Sequence, residues 1–286
     1  MWNPFKPKIE NSDPGQRSLQ LISQKGMPFA YVEAYKSLRT NLNFLSGSGD
    51  VHAFVVISTV PEEAKSNVSV NLALALTESG KKVVLVDCDL RKPVLHRYLK
   101  AGHNLKGVSN VLSRQVALSD ALVELKDIPN LTFLPAGTTP PNPSELLSQP
   151  QMQEMVNTLR GSYDFVILDA PPISMVTDAA VIGRIVDGAL FVVRSKYAST
   201  DAVKTALEKL QDAGVKVLGA VLTCYDAKKS LKRSDYGYGY YYYNSNYSYG
   251  PPPDGISESA AKKSGLTSKK QHNGKEKHSV HTEDEA

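Results

Sequence analysis

The fold is decided by Ala53–Ser58 (AFVVIS) and the ten residues around its end, Ser58-Thr59-Val60-Pro61-Glu62-Glu63-Ala64-Lys65-Ser66-Asn67. Six apolar or small residues in a row read as a strand buried on both faces. A helical pattern follows from about Lys65 to Ser79, and Gly80 stops it where a helix C-terminus favours glycine. A strand, a short loop and a helix opened by Lys-Ser is the layout of a phosphate-binding loop, in which backbone N–H groups and the helix N-terminus meet the anion. In that layout Lys65 pairs with the outer phosphates, the Ser66 hydroxyl holds Mg²⁺, and Thr59, Ala64 and Asn67 line the nucleotide. The loop carries Ala64 in place of the usual glycine before the lysine, where a methyl crowds a close backbone approach. Glu62 and Glu63 put two carboxylates where phosphate oxygens would lie.

Outward from this loop, Lys82–Val86, Leu131–Leu134, Phe165–Leu168, Ala189–Val193 and Val217–Leu222 read as further strands. Helical patterns at Pro143–Leu159, Asp178–Val186 and Thr200–Ala213 alternate with them. The expected class is α/β: a mostly parallel sheet with helices on both faces, P-loop NTPase-like. Ligands in such sheets bind at the carboxyl ends of the strands, so the residues just past each strand carry the chemistry. Val83–Val86 runs into Asp87-Cys88-Asp89-Leu90-Arg91. Strand alternation points Asp87 and Asp89 to one side, and such a pair can hold hydrated Mg²⁺ and accept a proton from a hydroxyl nucleophile. Phe165–Leu168 runs into Asp169, the place of the acid that orders Mg²⁺ in a phosphate-loop nucleotidase. Lys65, Ser66, Asp87, Asp89 and Asp169 therefore converge on one crevice. Cys88 between the acids reads as a buried, inert thiol.

The chain has 286 residues, 33 Lys+Arg against 29 Asp+Glu and a net charge of +4. So mild an excess gives no reason to expect a nucleic-acid partner. Two cysteines, Cys88 and Cys224, cannot build a disulfide framework. No apolar run approaches the roughly 20 residues that span a bilayer, and the first residues (MWNPFKPKIE) lack the apolar centre of a signal peptide. A soluble, cytoplasmic protein is the expectation. Three regions are expected: a flexible lead-in at 1–28, the P-loop domain at 29–227, and a disordered tail at 228–286. The tail holds Tyr236, Tyr238, Tyr240, Tyr241, Tyr242, Tyr243, Tyr247 and Tyr249 among glycine, asparagine and serine.

Three stretches, VVLVDCDLRKPVLH at 83–96, LPAGTTPPNPSELL at 134–147 and FVILDAPPISMVTDA at 165–179, resemble the bacterial tyrosine kinases of capsule and exopolysaccharide synthesis. The resemblance spans about residues 29–226, and the tyrosine cluster beyond is also typical of that family. It is similar to the form in which the cytoplasmic kinase is a separate chain, activated by a transmembrane modulator of polysaccharide export. The resemblance implies ATP and Mg²⁺ as cofactors, Lys65, Asp87 and Asp89 in catalysis, Ser66, Asp87 and Asp169 for metal, and Arg91 at the nucleotide. It further implies autophosphorylation of the tail tyrosines, a cognate tyrosine phosphatase, and recruitment to the inner face of the cell membrane through the modulator. Glu33, Lys36 and Arg39 resemble the family's oligomerisation helix, which implies a homo-oligomeric ring, with lysine where the family has arginine. The family loop reads Pro-Gly-Glu-Gly-Lys-Ser/Thr-Thr; here both glycines are replaced, by Glu62 and Ala64. That departure leaves a second reading open, a pseudokinase scaffold or substrate that acts with an intact kinase. Val60 stands where partition-type ATPases carry a signature lysine, which argues against a dimer of that type.

Overall fold

The computed structural model describes residues 20–47 and 51–225. The tyrosine cluster at 236–249 lies outside the described residues. Seven strands form one sheet: β1 (Ala53–Ser58), β2 (Val83–Asp87), β3 (Val123–Glu124), β4 (Leu131–Leu134), β5 (Phe165–Asp169), β6 (Ala189–Arg194) and β7 (Val217–Thr223). Their order is β3-β4-β2-β5-β1-β6-β7. Every pairing is parallel except that of β3 with β4. Only the two-residue β3 falls outside the strands expected from sequence; it is too short for any periodicity to mark it.

The helices are α1 (Phe29–Gly47), α2 (Lys65–Thr77), α3 (Leu95–Tyr98), α4 (Val108–Leu112), α5 (Leu118–Ala121), α6 (Pro143–Leu147), α7 (Pro150–Arg160), α8 (Asp178–Gly183) and α9 (Thr200–Asp212). The continuous helix expected at Pro143–Leu159 is two helices. Gln149 precedes Pro150 and is driven to an extended conformation (φ −71°, ψ 151°), so α6 ends and Pro150 starts α7 at its first turn.

Alternate residues of the central strands feed two separate cores. Ala53, Val55, Ile57, Val84, Val86, Val166 and Leu168 pack on one face with Leu112, Met152, Val156 and Ile182. Phe54, Val56, Val83, Leu85, Phe165 and Ile167 pack on the other with Leu42, Val68, Leu72 and Leu76. That is the two-sided burial which continuous apolar strands require. The edge strand β7 departs from it, with Leu222 53% exposed. The folded part begins before residue 29. Ile22 is buried, and its N–H donates to Asn71 Oδ1 at 2.8 Å, tying the end of the lead-in to α2.

Sheet order brings β1, β2 and β5 together at the centre, and the chain crosses from β1 over β5 to reach β2. The loop after β1 and the acids ending β2 and β5 are thereby gathered at one edge of the sheet, at a point where the winding changes direction.

Candidate nucleotide site

Backbone conformation settles how the loop copes without glycine. Glu62 has φ 70° and Ala64 φ 67°, both in the left-handed region. A residue with a Cβ gives up on the order of 1–3 kcal/mol there unless its surroundings hold it. The surroundings do hold this loop. Glu63 is buried, and its carboxylate accepts the N–H of Val60 at 2.9 Å and that of Arg194 at 3.1 Å. The Glu63 carbonyl accepts from Thr223 Oγ1 at 2.9 Å. The Glu62 carbonyl accepts from Arg194 Nη1 at 3.1 Å, and its carboxylate accepts from Tyr197 Oη at 3.3 Å. The expectation that both carboxylates occupy phosphate positions is corrected: that of Glu63 is turned to the end of β6 and the loop's own backbone and that of Glu62 to Tyr197, because those N–H and O–H groups are the donors within reach.

Past the loop, α2 opens from Ala64 with no side chain capping its first turn. Uncapped N–H groups at the start of a 13-residue helix suit an anion. Thr59 Oγ1 is buried and has no hydrogen-bond partner among the described residues, a further polar atom at the loop that a phosphate or its waters could satisfy. These observations fit a nucleotide phosphate group.

Lys65, Ser66 and Asp169 converge. Lys65 Nζ stands 2.7 Å from Asp169 Oδ2, with the two side chains 8% and 0% exposed. Ser66 Oγ donates to the same oxygen at 2.7 Å, and Ser69 Oγ donates to Asp169 Oδ1 at 2.7 Å. A carboxylate sealed from water needs such a set of donors, one of them charged. Ser69 was not anticipated, although it lies four residues after Lys65 and hence on the same helix face.

Asp87 pairs in register with Asp169 on the neighbouring parallel strand. It is 1% exposed. Burial, reinforced by the Asp169 charge and opposed by Lys65, pushes its carboxyl up to about 8. Asp87 Oδ1 and Oδ2 accept the N–H groups of Asp89 and Leu95, each at 3.2 Å. Because β2 ends at Asp87, strand alternation does not extend to Asp89. Asp89 is half-buried and its Oδ1 accepts the Lys92 N–H at 3.0 Å. Burial drives the Cys88 thiol well above its ordinary range, which leaves it unreactive.

The remaining expected residues have other partners. Arg91 Nε donates to Asp178 Oδ2 at 3.0 Å and Nη2 to Ser144 Oγ at 2.9 Å. Ser144 Oγ in turn donates to Asp178 Oδ1. Asp178 is fully buried, and Arg91, Ser144 and Asp178 come one each from the three family-like stretches. Their contact ties those stretches together. Sequence gave no distance signal for it, since 87 residues separate Arg91 from Asp178. Asn67 Oδ1 accepts from Tyr31 Oη, Tyr35 Oη and Asn71 Nδ2, each at 3.0 Å, so its side chain serves the contact between α1 and α2. Lys36 pairs with Glu33 at 2.7 Å. Arg39 donates to the Ala75 carbonyl at 2.8 Å, capping the last turn of α2 within the same chain.

No three His, Cys, Asp or Glu side chains gather as a metal cage among the described residues. Mg²⁺ does not need one: it keeps several waters and takes one or two protein oxygens plus substrate phosphates. The hard oxygens of Ser66, Asp87 and Asp169 match that demand.

A family model described as an AAA domain matches residues 63–217. The tyrosine-protein kinase YwqD of Bacillus subtilis is 37% identical over 205 residues, 72% of this chain and 84% of YwqD. Among solved structures, the chimerical protein CapA2B2 superposes with a TM-score of 0.66 at 34% identity, covering 72% of this chain and 88% of that one. The septum site-determining protein MinD of Pyrococcus horikoshii, solved with Mg-ADP, superposes at 0.52 with 25% identity, covering 60% and 70%. The chain thus belongs to the bacterial tyrosine-protein kinases, on the P-loop fold of MinD.

Proposed function

We propose that the chain is an ATP- and Mg²⁺-dependent protein-tyrosine kinase. It phosphorylates tail tyrosines 236–249 on its own and neighbouring copies, and regulates capsular or exopolysaccharide synthesis with a transmembrane modulator. The observation that supports this best is the loop itself: Glu62 and Ala64 keep left-handed backbone while Lys65 and Ser66 meet at Asp169. The loss of glycine motivated the scaffold reading, and the retained loop shape favours the enzyme.

Ser66, Asp169 and Asp87 are the residues that would hold Mg²⁺, whose charge offsets that of the transferring phosphoryl group. Lys65 exchanges Asp169 for the β- and γ-phosphate oxygens. Asp89, half-buried where Asp87 is sealed, is the acid open to an incoming phenol. The phenol proton passes to that carboxylate, the phenolic oxygen bonds to the γ-phosphorus, and the bond to the bridging oxygen of ADP breaks. Each phosphate adds roughly −1.5 to −2 charge. That is enough, over several tyrosines, to reverse the local positive charge of Lys228, Lys229, Lys232 and Arg233 and release the tail from an acidic crevice.

Among the described residues no helix is long and apolar enough to cross a membrane; the modulator supplies the membrane link in this reading. Ring assembly through α1 and removal of the phosphates by a cognate phosphatase complete it. The test is incubation of the full chain with ATP, Mg²⁺ and a cytoplasmic fragment of the modulator, followed by mass spectrometry of residues 236–249. Phosphotyrosine that is absent from Lys65→Met is the expected result. A tail labelled only when an intact kinase is added would establish the scaffold reading instead.

A further inference from the structure

Glu62 is the loop residue whose left-handed backbone is gripped from outside. Arg194, the last residue of β6, sends Nη1 to the Glu62 carbonyl at 3.1 Å. Its guanidinium also lies 4.7 Å over the Tyr197 ring. The chain turns at Lys196 (φ 57°), which brings Tyr197 back beside Arg194, and Tyr197 Oη donates to Glu62 Oε2 at 3.3 Å. Main chain and side chain of Glu62 are therefore both held, by two residues that are also held to each other. The adjoining Glu63 carboxylate bridges the N–H of Arg194 and that of Val60, fixing the base of the grip to the start of the loop.

We propose that Arg194 and Tyr197 are positioning residues for nucleotide binding: they clamp Glu62 in the left-handed conformation and so let glutamate serve at a position where the family loop uses glycine. The inference rests on the reading of this loop as a phosphate cradle. Its physical content is a trade. Glycine adopts positive φ freely, whereas glutamate does so only while a charged hydrogen bond and a cation–π contact keep it there. Glu62 is on this account a compensated substitution, and the compensation lies 132 residues away in the chain.

The experiment is a double-mutant cycle on the full chain: native, Arg194→Ala, Glu62→Gly and the double variant, with Arg194→Lys as the conservative change. Two quantities are read, Mg–ADP affinity by calorimetry and amide hydrogen exchange of residues 59–64 without nucleotide. Arg194→Ala is expected to weaken Mg–ADP and to speed loop exchange about tenfold each, but less than about threefold in the Glu62→Gly background. Arg194→Lys should recover part of both. Tyr197→Phe, a change at a side chain 45% exposed that leaves the core untouched, should speed loop exchange in the same direction with an unchanged melting temperature. An Arg194→Ala effect equal in both backgrounds, or loop exchange that no variant alters, overturns the clamp. If the native chain binds no Mg–ADP, the kinase reading fails, and the coupling seen in exchange alone still decides the clamp.

Discussion

Asp87 and Asp169 face one another at the carboxyl ends of adjacent parallel strands, yet they are satisfied in different ways. Asp169 receives Lys65, Ser66 and Ser69. Asp87 receives two backbone N–H groups, and burial beside Asp169 pushes it up to about 8. One acid is matched by a cation before any ligand arrives, whereas the other is held as a neutral acid near neutral pH. A bound cation would favour ionisation of Asp87.

The raised value has a sign that can be checked. A carboxyl whose folded pKa exceeds its unfolded value near 3.8 contributes stability at low pH, and that contribution is lost as pH climbs towards about 8. Asp87→Asn removes the titrating group but keeps its shape. In nucleotide-free protein the variant's melting temperature should rise relative to the native chain between pH 5 and pH 8. Melting curves across that range test this, and a difference independent of pH would refute it.

Removing Lys65 should cost stability as well as binding. Lys65→Met leaves Asp169, 0% exposed, without its cation. A buried pair broken from one side costs about 3–5 kcal/mol, and the hydroxyls of Ser66 and Ser69 keep this case near the lower figure. Adding Asp169→Asn to Lys65→Met should return part of the loss. Urea unfolding of the single and double variants measures it; equal stabilities would contradict the account.

How far the site could be read from sequence differs by residue. Asp87 and Asp169 were legible because each ends an apolar run, and Lys65 and Ser66 because they open a helix one short loop after such a run; the parallel sheet brings these positions together. The conformations of Glu62 and Ala64 were not, since the partners that hold Glu62 and the adjoining Glu63 are Arg194, Tyr197 and Thr223, all more than 100 residues distant. Periodicity found the strands, but it did not mark β7 as an edge strand, because edge position depends on strand order. Arg91 read as a nucleotide contact from the family-like stretch around it, while its partner Asp178 sits in another such stretch.

Arg91 gives the sharpest contrast between a structural and a nucleotide role. Arg91→Ala leaves the fully buried Asp178 with Ser144 alone. Because Arg91 is itself 38% exposed, the expected loss is about 2 kcal/mol, below that of a wholly buried pair. Mg–ADP affinity should change by less than about threefold, the shift of a side chain that does not touch the ligand. A larger drop in affinity with full stability would return Arg91 to the nucleotide.

Asn67→Ala tests the seam between α1 and α2. It removes the acceptor of the buried Tyr35 hydroxyl, while the Tyr31 hydroxyl still reaches the Gln20 carbonyl at 3.0 Å, and a buried donor left unpaired costs about 1–3 kcal/mol. Tyr31 is half-buried, so Tyr31→Phe should cost less. Denaturant midpoints of the two variants provide the check; an Asn67→Ala chain with native stability would show that α1 is not held this way.

Whether a loop without its glycines still cradles phosphate is read directly by calorimetric titration of the purified full chain with Mg–ADP, with Lys65→Met as control. The native chain should bind saturably and the variant not at all. Absence of binding by the native chain at millimolar nucleotide would contradict a phosphate-cradling loop and leave the chain as a scaffold for another kinase.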